Sequence, residues 1–305
     1  MPLTERPWLP LAAVATTLLF WASAFVAIRH LGGTYSAGAL SLGRLVVGSI
    51  ALGAVAVSRG LPRPSGRDWV GLVAIGVLWF GVYNIALNQG EHHVDAGTSA
   101  MLIQISPVLI AVLATLFLGE RFTLWLAMGL VLAFAGVVLI GASQPGGHND
   151  IVGVLLCLLA ALVYSIALVV QKPLVSRLSA LHVTWLACTV GAVVCLPFAG
   201  QLVDGTRDAS ASDVWWVVYL GLFPTAIAFT TYAFALRHMT ASSLGITTYL
   251  VPPLTILMGW LFLGEVPPGM AYVGGALALV GVAVARRKPH APRDERARTA
   301  VQAGG

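Results

Sequence analysis

Several polar residues stand inside otherwise apolar runs, and each could bind something. Arg44 lies in the run 37–58. An ionised side chain at such a place costs at least ~2.5 kcal/mol in a membrane unless protein or water receives it. A guanidinium there could hold a carboxylate or a phosphate; equally, it could bond carbonyls of neighbouring helices or reach outward along its stem. Asn84, Asn88 and Glu91 fall at i, i+4 and i+7, a single helical stripe, and the corresponding stripe later in the chain reads Thr225, Phe229, Tyr232. Amides in one place and rings in the other suit a cavity for a solute with a polar end and an apolar side chain. Hydrogen bonding and packing between helices would use the same residues. Trp21 and Tyr164 occupy equivalent places, with Gln171 on the Tyr164 face, and are expected to line that cavity. Ser99, Gln104 and Ser106 lead up to Pro107; Thr247, Thr248 and Tyr249 lead up to Pro252 and Pro253. A proline inside a helix frees a carbonyl and bends the chain, so these three are read as kinks or hinges beside a central site containing Gln104, Thr248 and Tyr249.

Glu91-His92-His93-Val94-Asp95 is the densest titratable cluster. Imidazole titrates near neutral pH, which makes Glu91, His92 and His93 candidates for proton coupling; a solvated loop is the plainer reading. No second cluster completes a metal site. Glu120 and Glu265 each end a Leu-Phe-Leu-Gly-Glu motif, and each is expected to be stabilised by the amino-terminal dipole of the helix that follows it; a gate or a proton site is the alternative. Cys157, Cys188 and Cys195 lie in apolar runs without metal spacing, as small buried residues do. No Gly-x-x-x-x-Gly-Lys-[Ser/Thr], Gly-x-Ser-x-Gly or His-Glu-x-x-His occurs. These absences point away from ATP use, from a cofactor and from catalysis, so a polytopic membrane enzyme is disfavoured.

The elements that must carry these residues are helices in a membrane. Of 305 residues, 58% are hydrophobic and 10% charged, against about a quarter charged in soluble domains, and the mean hydropathy is +0.88. About 20 apolar residues cross a bilayer core as a helix. Such runs lie near 8–28, 37–58, 69–89, 96–118, 123–143, 151–171, 181–200, 214–236, 241–263 and 269–285. The expected fold is an all-α integral membrane protein with ten transmembrane helices. Residues 8–24 resemble a secretory signal ending in Ala22-Ser23-Ala24, but the run continues to Ile28 and nine more follow, so it reads as a true span.

With the amino terminus inside, inside segments hold 14 basic residues and outside segments hold two, Arg29 and Arg207. That bias places both termini in the cytoplasm of a multi-pass cell-membrane protein. Residues 286–305 form a basic tail of disordered composition. The pI near 9.4 follows from these short flanks and gives no support for nucleic-acid binding.

A shift of 145 residues superposes Ala96, Pro107, Leu109 and Leu116-Phe117-Leu118-Gly119-Glu120 on Ala241, Pro252, Leu254 and Leu261-Phe262-Leu263-Gly264-Glu265. Gly129, Leu132, Ala133, Gly136 and Val137 continue it onto Gly274, Leu277, Ala278, Gly281 and Val282, and a shift of 143 carries Trp21…Arg29 onto Tyr164…Lys172. Two halves follow, 8–143 and 151–285. Five spans in each invert the second relative to the first, the plan of many secondary transporters. These motifs, with Phe20-Trp21-Ala22-Ser23-Ala24-Phe25 and Arg44, resemble the drug/metabolite transporter superfamily, EamA type, over residues 10–285. The resemblance implies a small-molecule exporter working by alternating access. Family members move amino acids, other metabolites or toxic compounds, and some relatives carry nucleotide sugars or sugar phosphates. A drug or cation carrier and a sugar-type carrier are therefore the alternatives. Arg44 has no counterpart, since Ala187 occupies its place, and oligomeric state is left open.

Overall fold

A computed structural model describes residues 8–61, 63–90, 93, 102–142, 151–263, 269–285 and 287. Every regular element among them is helical. In chain order these are α1 (Leu9–Leu31), α2 (Ala37–Ser58), α3 (Gly66–Gly90), α4 (Ser106–Leu118), α5 (Leu124–Ala142), α6 (Ile151–Arg177), α7 (Ala180–Val194), α8 (Ala199–Asp208) and α9 (Ala211–His238). Then α10 runs as Ala241–Gly245, a 3-10 stretch Ile246–Leu250 and Val251–Leu263, and α11 is Gly269–Ala285. By length and composition α2, α3, α6, α9 and the stretch Ala241–Met258 of α10 can each cross a bilayer. Leu9–Ala24, Ser106–Leu118, Leu124–Leu139 and Tyr272–Ala285 are shorter apolar helices. Large apolar side chains such as Leu116, Phe117 and Leu155 face outward, a surface suited to lipid rather than water.

The run 181–200 is not one straight helix. It breaks after Val194, and the 3-10 turn Leu196–Phe198 leads into α8 at an angle of 54°. Pro197 supplies no N–H, so the α-helical ladder cannot continue through it. Nor do the three marked prolines stand in mid-ladder. Pro107 occupies the first turn of α4, and Pro252 and Pro253 the first turn after the 3-10 stretch, where a missing N–H costs little.

The duplication shows in backbone detail. Ser65 and Asp68 form a capping box that starts α3, and Ser210 and Asp213 form the same box at α9, 145 residues on. Each of these helices then contains a π segment, Gly76–Tyr83 in α3 and Gly221–Ile227 in α9, again in register. At Gly76 a Cβ would lie 2.5 Å from Val190 Cβ and 2.8 Å from the Ala187 carbonyl; at Gly221 it would lie 2.5 Å from Val47 Cβ and 2.9 Å from the Arg44 carbonyl. The α3–α7 and α9–α2 crossings are thus the same contact made twice, and both need a hydrogen in place of a side chain.

Helix directions are set by the contacts. Thr17, Ser23 and His30 of α1 meet Thr231, Tyr219 and Asp213 of α9, so these two run antiparallel. Tyr164 and Lys172 of α6 meet Tyr232 and Leu236 of the same α9, so this pair runs parallel. The equivalent helices α1 and α6 therefore point in opposite directions. α5 and α11 also run antiparallel, and a Cβ on Gly136 would sit 2.5 Å from the Gly274 carbonyl. Apolar helices in lipid gain little from hydrophobic burial against each other, and close approach of small residues supplies the packing instead.

Candidate functional site

Seven rings from α1, α3, α6 and α9 meet at the centre of the bundle. Trp21 lies 4.8 Å from Tyr232, 5.5 Å from Phe229 and 6.3 Å from Trp79, centroid to centroid. Trp79 is 4.9 Å from both Tyr164 and Phe229, and Phe80 is 4.6 Å from Phe229. Tyr83 joins through Tyr164 at 5.9 Å. The hydroxyls of Tyr164 and Tyr232 hydrogen-bond to each other at 2.8 Å. Trp79 is 1% exposed and Tyr232 0%, so the rings close on one another. Tilted and edge-on pairs of this kind are each worth ~0.5–1.5 kcal/mol beyond burial.

Arg44 projects from α2 beside this cluster and is 7% exposed. Its Nε donates to Thr225 Oγ1 at 3.0 Å, and Thr225 donates to the Leu220 carbonyl five residues back at 2.8 Å. That i−5 carbonyl is available because Thr225 lies in the π segment, where the backbone ladder is re-spaced. Among the described residues the guanidinium makes this one hydrogen bond, through Nε. Thr225 stands four residues before Phe229. The hydroxyl that receives the guanidinium thus precedes a ring of the cluster by four residues on the same helix.

The structure brings Trp21, Tyr164, Phe229 and Tyr232 together and sets Arg44 next to them. It uses the amides differently. Asn84 donates to the carbonyls of Trp79 and Phe80 in its own helix, and Asn88 donates to the Ala37 carbonyl and Ser41 Oγ of α2. Gln104 donates to the Thr248 carbonyl at 3.2 Å, tying the start of α4 to α10. Tyr249 packs away from the ring cluster, among Ala111, Leu126, Leu130 and Val282 of α4, α5 and α11. Gln171 is buried with its side-chain oxygen unpaired. Glu91 and His92 lie outside the described residues; His93 is described, and its ring stands 3.5 Å from the Gln89 amide. Among the described residues no three His, Cys, Asp or Glu side chains could hold a metal ion together.

Glu120 corrects an expectation. It does not cap the helix that follows it. Gly119 adopts φ +66°, a left-handed turn natural to glycine, and the Glu120 carboxylate reaches the start of α10 instead. It accepts from Ala241 N at 2.6 Å, Ser242 N at 3.0 Å and Ser242 Oγ at 2.7 Å. Glu265 lies outside the described residues. Two ion pairs join equivalent helix ends. Asp68 of α3 meets Arg177 of α6 at 2.6 Å, and Asp213 of α9 meets His30 of α1 at 3.2 Å. Both carboxylates precede the apolar runs 69–89 and 214–236. Hydrogen bonds from the cap serines, then the cationic partners, hold each below the ordinary carboxylate range.

Trp79 was not marked by the sequence. At 100° per residue it sits about 140° from Asn84 on an α-helix, off the polar stripe. The π segment brings residues five apart onto one face, and the Asn84 amide bonds the Trp79 carbonyl. A glycine followed by aromatics in register with Gly221 was the available signal.

The EamA-like transporter family model matches residues 8–142 and again 151–287. This chain belongs to the EamA-like transporter family. A "Probable terminal-alkyne amino-acid exporter" of Streptantibioticus cattleyicolor is 38% identical over 97% of this chain and 98% of its own length. The "Uncharacterized transporter YdfC" of Bacillus subtilis is 32% identical over 86% of each chain. An uncharacterized transporter of Archaeoglobus fulgidus is 28% identical over 93% of this chain and 99% of its own. A solved crystal structure covers 92% of this EamA chain and 97% of its own at TM-score 0.76 and 22% identity, a likeness of fold. The chain is therefore a multi-pass membrane transporter with two family modules, and small molecules are its cargo.

Proposed function

We propose that this EamA chain exports amino acids or closely related small metabolites by alternating access. In this reading it spans the cell membrane ten times as two inverted five-helix halves, with both termini in the cytoplasm. The observation that carries the substrate class is Arg44, buried beside the ring cluster and hydrogen-bonded, among the described residues, through Nε alone. A guanidinium recognises a carboxylate through paired N–H donors. Aromatic faces accept an ammonium or an apolar side chain. An amino acid presents all three groups. The relative named as an amino-acid exporter agrees with this class. The basic bias sets the end that carries Glu120, Lys172 and Arg177 at the cytoplasm.

The seven-ring cluster also favours a second reading, a carrier of aromatic or quaternary cations. The two part on Arg44. Purified protein in proteoliposomes, loaded with a panel of amino acids and organic cations and run with and without a pH gradient, tests both. Export of amino acids that is lost in Arg44→Gln supports the first reading. Cation flux that is unchanged in Arg44→Gln supports the second, and catalytic turnover without flux overturns both.

A further inference from the structure

The turn between α9 and α10 is held at both its helix ends by charges from elsewhere. Lys172 of α6 donates through Nζ to the carbonyls of Leu236 and Met239, at the carboxyl end of α9. Glu120, at the end of α4, accepts from Ala241 N, Ser242 N and Ser242 Oγ, at the amino end of α10. Each charge has the sign that its helix end attracts: a cation on the orphan carbonyls, an anion on the orphan N–H groups. One carboxylate that takes three donors, two of them backbone, is a strong anchor. It also joins α4, from the first family module, to α10, from the second.

We propose that Glu120 and Lys172 form a gate: a clamp on the α9–α10 turn that holds this end of the transporter closed and must release for solute to pass. The proposal rests on the reading that the two halves exchange conformations. If they do, whatever separates α4 from α10 here must break the three Glu120 bonds. A cap that merely ends a helix would not need a side chain from the other module. Glu120 and Lys172 are positioning residues in this scheme, since neither touches solute.

The test uses the full chain in membrane vesicles and needs no substrate. Leu244 is fully buried one turn inside the clamp, so a cysteine placed there by Leu244→Cys reports opening to a membrane-impermeant maleimide applied at the Glu120 end. The three native cysteines are buried and serve as the background. Glu120→Ala should raise the labelling rate by about tenfold and Glu120→Gln by less. Thermal stability measured on each variant separates opening from unfolding. If Glu120→Ala does not fold, Glu120→Gln and Ser242→Ala carry the same prediction. Unchanged labelling in these variants, at unchanged thermal stability, overturns the gate. The outcome is independent of substrate. Loss of flux in Arg44→Gln with unmoved labelling would sink the gate and leave the transport reading. Shifted labelling with no amino-acid flux would do the reverse.

Discussion

The bundle makes one tie twice, at opposite ends, with different chemistry. Where α3 begins, Asp68 holds Arg177 from the end of α6; where α9 begins, its mate Asp213 holds His30 from the end of α1. The capping boxes, the π segments and the glycine crossings around these ties coincide in register. The side chains that finish them do not. Arginine stays charged throughout the physiological range, whereas imidazole as a class loses its charge within it. The same division holds at the centre. The capping boxes and π segments fix a shift of 145 in these helices, so Phe80, and not Asn84 as the stripes suggest, lies where the second half has Thr225; Ala187 lies where the first half has Arg44. Duplication preserved the places where backbones touch. Divergence fell on the places where a charge or a solute could be met.

The largest effects should come from breaking what the halves share. Gly136→Val and Gly281→Val press on the same α5–α11 contact from the two sides. Each should cost roughly 1–3 kcal/mol or more from overpacking, read as a matched fall in thermal stability. A marked inequality between the two would show that the contact is not symmetric. The next effects come from what the halves do not share. Phe229→Ala should change solute affinity by about tenfold, or ~1.4 kcal/mol, and alter preference among solutes. Asn84→Ala should lower stability, because its amide serves the carbonyls of the π segment, and leave solute preference in place. Flux ratios across two amino acids measure this. A change of preference in Asn84→Ala would return the amide stripe to the solute path.

The smallest effect belongs to the end ties. His30 is half exposed, so its pair with Asp213 is screened by solvent and contributes little. His30→Ala and Arg177→Ala should each lower thermal stability only slightly, since both side chains are exposed at their helix ends. A large fall in one and none in the other would show that the two ties are not equivalent.

The sequence made the helices, the repeat and most of the ring cluster legible. Apolar length marks a helix in lipid, and a constant shift marks a duplication. Trp21, Tyr164, Phe229 and Tyr232 stood out as rings at equivalent or striped positions. Other features were hidden for physical reasons. Trp79 was off the stripe because a period of 3.6 residues does not hold through a π segment. The bend at Leu196–Phe198 lay within an unbroken apolar run, with Pro197 its one local mark. Glu120 pointed by proximity to the helix that follows, yet its partners lie 121 and 122 residues away. The Asn84 and Asn88 amides read as a cavity wall because sequence cannot tell a donor facing solute from one facing a carbonyl. Arg44 was visible as a charge out of place; that Thr225 takes only its Nε was not.

The central claim is that Arg44 receives the carboxylate of an amino-acid solute beside the rings. The most direct test is competition in proteoliposomes between one apolar amino acid and its carboxamide, for the wild type and Arg44→Gln. The account predicts that the wild type prefers the acid by about tenfold or more, as for an unmatched charged partner at a buried site. It also predicts that Arg44→Gln loses this preference while remaining folded. Equal transport of acid and amide by the wild type, or a preference that survives in Arg44→Gln, would contradict it.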